Sequence, residues 1–165
     1  MPGIQHHFVH GVRADTDVQY AVTVSGTAKY QDLFIPQSSI DAACGLHSVL
    51  VAKMILSGIP RFRIDKISTA TRDPLRALWL QARETYFEGT EEHDIERYVS
   101  ALPGLTCDTV TSTSARRIGS IAAKAVANGG VPMIRFRSRN WSHWATVIGI
   151  EVIPGEAGPR ALLML

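Results

Sequence analysis

The sequence predicts an α+β fold in which a helical part carrying a cysteine packs against an antiparallel sheet carrying a histidine. Three observations predict it. Short runs rich in β-branched and aromatic residues, at 8–12 and 19–24, open the chain. Between residues 40 and 127, apolar residues recur at helical spacing in separate stretches. From residue 131 onward, strand-like segments alternate with Gly- and Pro-containing turns. Helices followed by strands form an α+β layout, with a groove where the two parts meet.

The chain of 165 residues is expected to be one domain, large enough to bury a core. Residues 1–35 read as a strand-rich N-terminal extension, 36–102 as the helical part, and 103–165 as the sheet part with one helix. The 45% apolar and 19% charged content is that of a globular chain, not a disordered one. Net charge is +2 with no dense Lys/Arg block, which argues against nucleic acid as partner. The longest apolar run, 49–59, is broken by Lys53 and Gly58, so no membrane span is expected. No basic region followed by an apolar core opens the chain, so a cytoplasmic location with reduced thiols is expected.

The elements follow in order. Ser25-Gly26 marks a turn after the first strands. His6, His7 and His10 lack an acidic or cysteine partner at ligand-like spacing, and read as an exposed N-terminal segment, not a metal site. Pro36 leads into a helix expected over 40–56, capped by Ser39 or Asp41 and stopped by Gly58-Ile59-Pro60. Residues 61–68 read as a connection with solvated charges. A second helix is expected from Pro74 to about residue 87, with Leu75, Leu78, Leu80, Ala82 and Tyr86 partly inward. A third, 91–102, begins with Glu91, Glu92 and Asp94, as a solvated helix start would. Residues 105–110 read as a strand that buries Cys107 as a small hydrophobe. Ser112 or Ser114 caps a fourth helix, 115–127, which Gly129-Gly130 ends. Strands at 131–136, 143–152 and 160–165 close the chain.

The chemistry centres on Gln37-Ser-Ser-Ile-Asp-Ala-Ala-Cys44-Gly45-Leu46-His47. A thiol in the first turn of a helix meets unpaired amides and the positive end of the dipole, both of which favour a thiolate nucleophile. Gln37 carries a side-chain amide able to donate to an oxyanion, and Gly45 is expected to leave the backbone beside the thiol open. His143 opens a late strand, and cysteine and histidine partners meet in space, not in sequence. Strand alternation puts His143 on a face with Ala145, Val147 and Gly149, small neighbours that would leave room for a groove. Trp141 is a candidate shield for a thiolate–imidazolium pair, or a plain edge aromatic. His47, three positions after Cys44, is the rival base and is expected to pack towards the core.

Pro36-Gln37-Ser38-Ser39, Cys44-Gly45-Leu46, Val131-Pro-Met-Ile and Ser142-His143-Trp-Ala-Thr-Val-Ile-Gly-Ile together resemble the papain-like cysteine peptidases. They are most similar to the bacterial branch that includes the bacteriocin leader peptidases, which cut after double glycine. The resemblance covers about residues 36–165. It implies Cys44 as nucleophile, His143 as base and Gln37 as oxyanion donor, acting on a peptide or protein substrate without metal or organic cofactor. Gln37 lies seven positions before Cys44, one more than the family pattern. The family also places an Asp or Asn after the strand that follows the histidine strand. This sequence reaches Leu165 where that residue is due, and Glu151, eight residues beyond His143, is too distant to serve. Asn140 is a weak substitute, and a tail continuing with Asp or Asn within about two residues is expected instead. Two other readings share the fold: a transglutaminase-like acyltransferase on the same Cys–His pair, and a peptide-binding domain without activity.

Overall fold

The computed structural model describes residues 3–36, 42–155 and 159–165. It is a mixed α+β structure with antiparallel sheets. The elements run β1 (Gln5–Phe8), β2 (Val12–Asp15), β3 (Gln19–Thr23), β4 (Tyr30–Asp32), α1 (Cys44–Ser57), α2 (Arg61–Asp65), α3 (Leu75–Ala82), α4 (Glu92–Ser100), α5 (Ala115–Ala127), β5 (Met133–Arg137), β6 (Ser142–Val152) and β7 (Ala161–Met164).

The eleven residues of β6 form the spine of the main sheet. Its first half pairs antiparallel with β5, where Phe136 lies opposite His143 and Arg135 opposite Trp144. Its second half pairs with both β1 and β7. β2, β3 and β4 make a separate small sheet. The N-terminal stretch is therefore not a loose extension. His6 and His7 are exposed, but they sit on a strand paired with β6, and Val9 is buried in the core. Its backbone hydrogen bonds go into the ladder, which fixes the segment although its side chains face water.

α1 is the central helix. Leu46, Val49, Leu50, Val51, Met54 and Ile55 are all buried, so it is covered on most sides. Thr146 on β6 donates its hydroxyl to the Ser48 carbonyl at 3.1 Å, which seats the helix on one face of the sheet. α5 packs against β6 as well. Gly58 ends α1 with a positive φ of 57°, a conformation that favours glycine. A Cβ there would also lie 2.5 Å from the Ser25 amide nitrogen, because the turn of the small sheet packs onto this end of the helix.

Several sequence expectations change in detail. α1 begins at Cys44, not near residue 40, and its cap position is Ala43, with no side-chain cap bond. Ser39 and Asp41 lie outside the described residues. The 61–68 connection contains α2, α3 ends at Ala82, and Leu80 within it is exposed. Ser114 caps α5, accepting from the Arg117 amide at 3.3 Å. Residues 105–110 form no strand, and Cys107 is exposed. The segment has alternating composition, but among the described residues no strand pairs with it, and a strand's hydrogen bonds need a partner. The Cys107 thiol is pushed up by partial desolvation and by the nearby Glu96 and Asp108 carboxylates. Among the described residues, no helix is long and apolar enough to cross a membrane.

The start of α3 gives one stability prediction. Asp73 binds the Arg63 guanidinium through both oxygens, at 2.7 and 2.8 Å, and accepts from the Leu75 amide at 2.8 Å. The Arg63 hydrogen bonds hold its carboxyl below the usual carboxylate range. The stabilisation is therefore complete above the unfolded-state value near 4 and is lost as pH falls through the lowered folded value. Asp73→Ala is expected to cost about 1–2 kcal/mol at neutral pH, as loss of a cap and one ion pair does. Denaturant titrations of both forms at pH 7 and pH 3 check this. The difference should shrink at the lower pH.

Candidate active site

Cys44 is the first residue of α1, and its side chain lies at the edge of β6. The ladder explains the position. Thr146 exchanges both backbone hydrogen bonds with Leu165, each 2.9 Å, on the β7 side of β6. Alternate residues of a strand present their N–H groups to the same edge, so Trp144 is the next to do so. Among the described residues, no strand residue meets it there. The Trp144 N–H instead donates to the Cys44 sulfur at 3.4 Å.

His143 precedes that amide. It follows a short hairpin turn closed by the Ser138 N–H donating to the Trp141 carbonyl at 2.8 Å. Its ring stacks on Trp141, with centroids 5.7 Å apart and planes 20° from parallel. Trp141 is 57% exposed, so it is an edge aromatic lying on the imidazole. Cys44 and His143 line one cavity of about 200 Å³, together with His47, Ser48 and Trp144. His47 is thus half-buried at the site itself, not packed away from it. Gln37 lies outside the described residues.

Among the described residues, no carboxylate or amide side chain hydrogen-bonds to His143. Glu151 is engaged elsewhere, with His6 at 3.3 Å and Arg160 at 3.4 Å. Asn140 is exposed in the hairpin turn.

Two expectations about this region are overturned. The His143 side of β6 is not an open groove. Ala145 and Val147 are buried, and both α1 and α5 pack on β6. Gly149 admits the β1 backbone: a Cβ there would lie 2.8 Å from the His7 carbonyl oxygen. Nor does Gly45 leave the backbone open. A Cβ at Gly45 would lie 2.5 Å from both Cβ and Cγ2 of Thr90, so the glycine lets Thr90 approach.

Thr90 is the residue that the sequence reading missed. It is buried, touches Gly45, and its carbonyl accepts from the Trp144 indole N–H at 2.8 Å. One residue thereby spaces α1 from β6 beside the thiol. The next residues extend the brace. Arg135 on β5 binds both Glu91 oxygens at 2.5 Å, Glu92 at 2.7 Å and the Ser142 hydroxyl at 2.8 Å. The hydrogen bonds from Arg135 hold the Glu91 carboxyl below its ordinary range, and those to Glu91 hold the guanidinium firmly protonated. Asp94 is buried and accepts from the Glu91 amide at 3.0 Å and from Arg97 at 2.7 Å. Glu91 and Glu92 are exposed, as a solvated helix start would be, but they also tie the start of α4 to Arg135 of the β5–β6 hairpin, and Asp94 is buried. The signal in the sequence was Arg135, a charge between the apolar Ile134 and Phe136 of the strand.

Comparisons with protein-family models, with curated proteins and with solved structures each found no match.

Proposed function

We propose that the chain is a cysteine peptidase or amidase with a papain-like arrangement, Cys44 being the nucleophile and His143 the base. The observation that carries this reading is the shared cavity. Two residues about a hundred positions apart line it, and the thiol stands at a helix start with a backbone N–H on its sulfur. That N–H and the first-turn amides of α1 stabilise negative charge at this spot.

The chemistry follows from the parts. His143 takes the thiol proton, and the sulfur attacks a peptide or amide carbonyl carbon. The C–N bond breaks as His143 returns the proton to the leaving amine. Water then attacks the thioester, His143 again taking a proton, and frees the acid. The Cys44 amide is one oxyanion donor, and Gln37 is assigned as the second on the sequence resemblance. No step calls for a metal or organic cofactor.

Trapping the thioester tests the reaction. With the exposed Cys107 replaced by serine, activated peptide esters should add one acyl mass to Cys44, seen by intact-mass spectrometry. The adduct should decay in water to free acid. Faster decay to an amide on adding a primary amine would assign acyl transfer instead. No adduct with any peptide ester would leave a binding domain as the better account.

A further inference from the structure

We infer that the substrate presents an uncharged apolar side chain on the acyl side of the attacked carbonyl, seated in a slot that runs from Cys44 along α1. This inference rests on Cys44 being the nucleophile. The slot's floor is one stripe of the helix. Cys44, His47, Ser48 and Val51 are spaced by three, four and seven positions, and all line the cavity. At 1.5 Å per residue the stripe extends about 10 Å from the thiol.

The walls are apolar. Phe34 and Ile35 come from the segment after β4, Trp144 from β6, and Leu165 from the chain beyond β7. Among the described residues, no Lys, Arg, Asp or Glu lines the cavity. A charged side chain entering it would lose its hydration, and among the described residues the only titratable side chains lining the cavity are Cys44, His47 and His143, with the Cys44–His143 pair holding one proton between them. A glycine would leave about 200 Å³ unfilled. Burying a branched or aromatic side chain there would exchange water for apolar contact on several sides. Phe34 is 50% exposed, so the slot has a mouth on the surface. Selection of this kind differs from the double-glycine preference of the resembling peptidases, which would use none of this space.

Affinity labels test the slot without a known substrate. In the Cys107→Ser background, the chloromethyl ketones of N-acetyl-leucine, N-acetyl-glycine and N-acetyl-aspartate are compared by intact mass. In each, sulfur displaces chloride and forms a C–S bond. Each rate is divided by that of the same reagent with glutathione. The leucine reagent is expected to exceed the glycine reagent by about tenfold or more, the range for filling one apolar pocket, and the aspartate reagent to be slowest. Val51→Trp should lower the leucine rate more than the glycine rate. Phe34→Ala, at a half-exposed position that tolerates truncation, should narrow the same ratio if Val51→Trp fails to fold. Equal leucine and glycine ratios, with iodoacetamide labelling of Cys44 still fast and His143-dependent, would overturn the slot alone. Labelling no faster than glutathione with every reagent would overturn the nucleophile and the slot together.

Discussion

On the proposed Cys44–His143 mechanism, Cys44→Ala is expected to lower hydrolysis by about 10⁴-fold or more while leaving the fold intact. Removing a nucleophile that acts as a unit with its base costs close to the whole chemical contribution of the pair. The structural cost is small by comparison. Cys44 is 9% exposed and belongs to the buried cluster, but the change removes only a sulfur atom. The small cavity left behind should cost about 1 kcal/mol. Activity per folded molecule, with folding checked by circular dichroism, separates the two effects. An alanine form that keeps full activity on a verified substrate would move the chemistry to another site.

Gly45→Ala is expected to be strongly destabilising for a change of one methyl group. The new Cβ would fall 2.5 Å from Thr90 Cβ, and a Cβ cannot rotate away. Either α1 or the start of α4 must shift, at a cost of about 3 kcal/mol, the upper end of ordinary overpacking. The damage should reach the site, since Thr90 also holds the Trp144 indole and the Trp144 amide touches the thiol. Thr90→Gly in the same chain removes the clashing atom and should restore part of the loss. Denaturant melts of the two single forms and the double form measure that coupling. A Gly45→Ala form less than about 1 kcal/mol below the parent would contradict the close approach.

The helical and strand segments were legible because their periods are local. The 115–127 helix is readable from its cap Ser114 and its buried stripe, and β6 from a long apolar run after a turn. What could not be read is what depends on partners. Residues 105–110 look like a strand in composition, yet among the described residues no strand pairs with them. The N-terminal stretch could be read as strand-rich and exposed, but not as paired with β6, whose second half offers β1 an edge. The same holds at the candidate site. Cys44 and His143 stand out by residue type and position, whereas Thr90 is one threonine among many until the packing against Gly45 is seen. The glycine itself carried the signal, but sequence cannot tell a glycine that opens space from one that another residue closes.

The most direct test of the Cys–His account is the rate of iodoacetamide alkylation at Cys44, at mildly acidic pH, in the Cys107→Ser background. His143 and His47 both line the cavity, so each is replaced by alanine in turn. An imidazole that holds the thiol proton keeps a thiolate present where an ordinary thiol is protonated. The parent should therefore label much faster than glutathione. His143→Ala should fall to the glutathione rate, and His47→Ala should stay fast while losing stability. A parent that labels no faster than glutathione, or a loss of speed on His47→Ala alone, would contradict the assignment of Cys44 and His143 as the working pair.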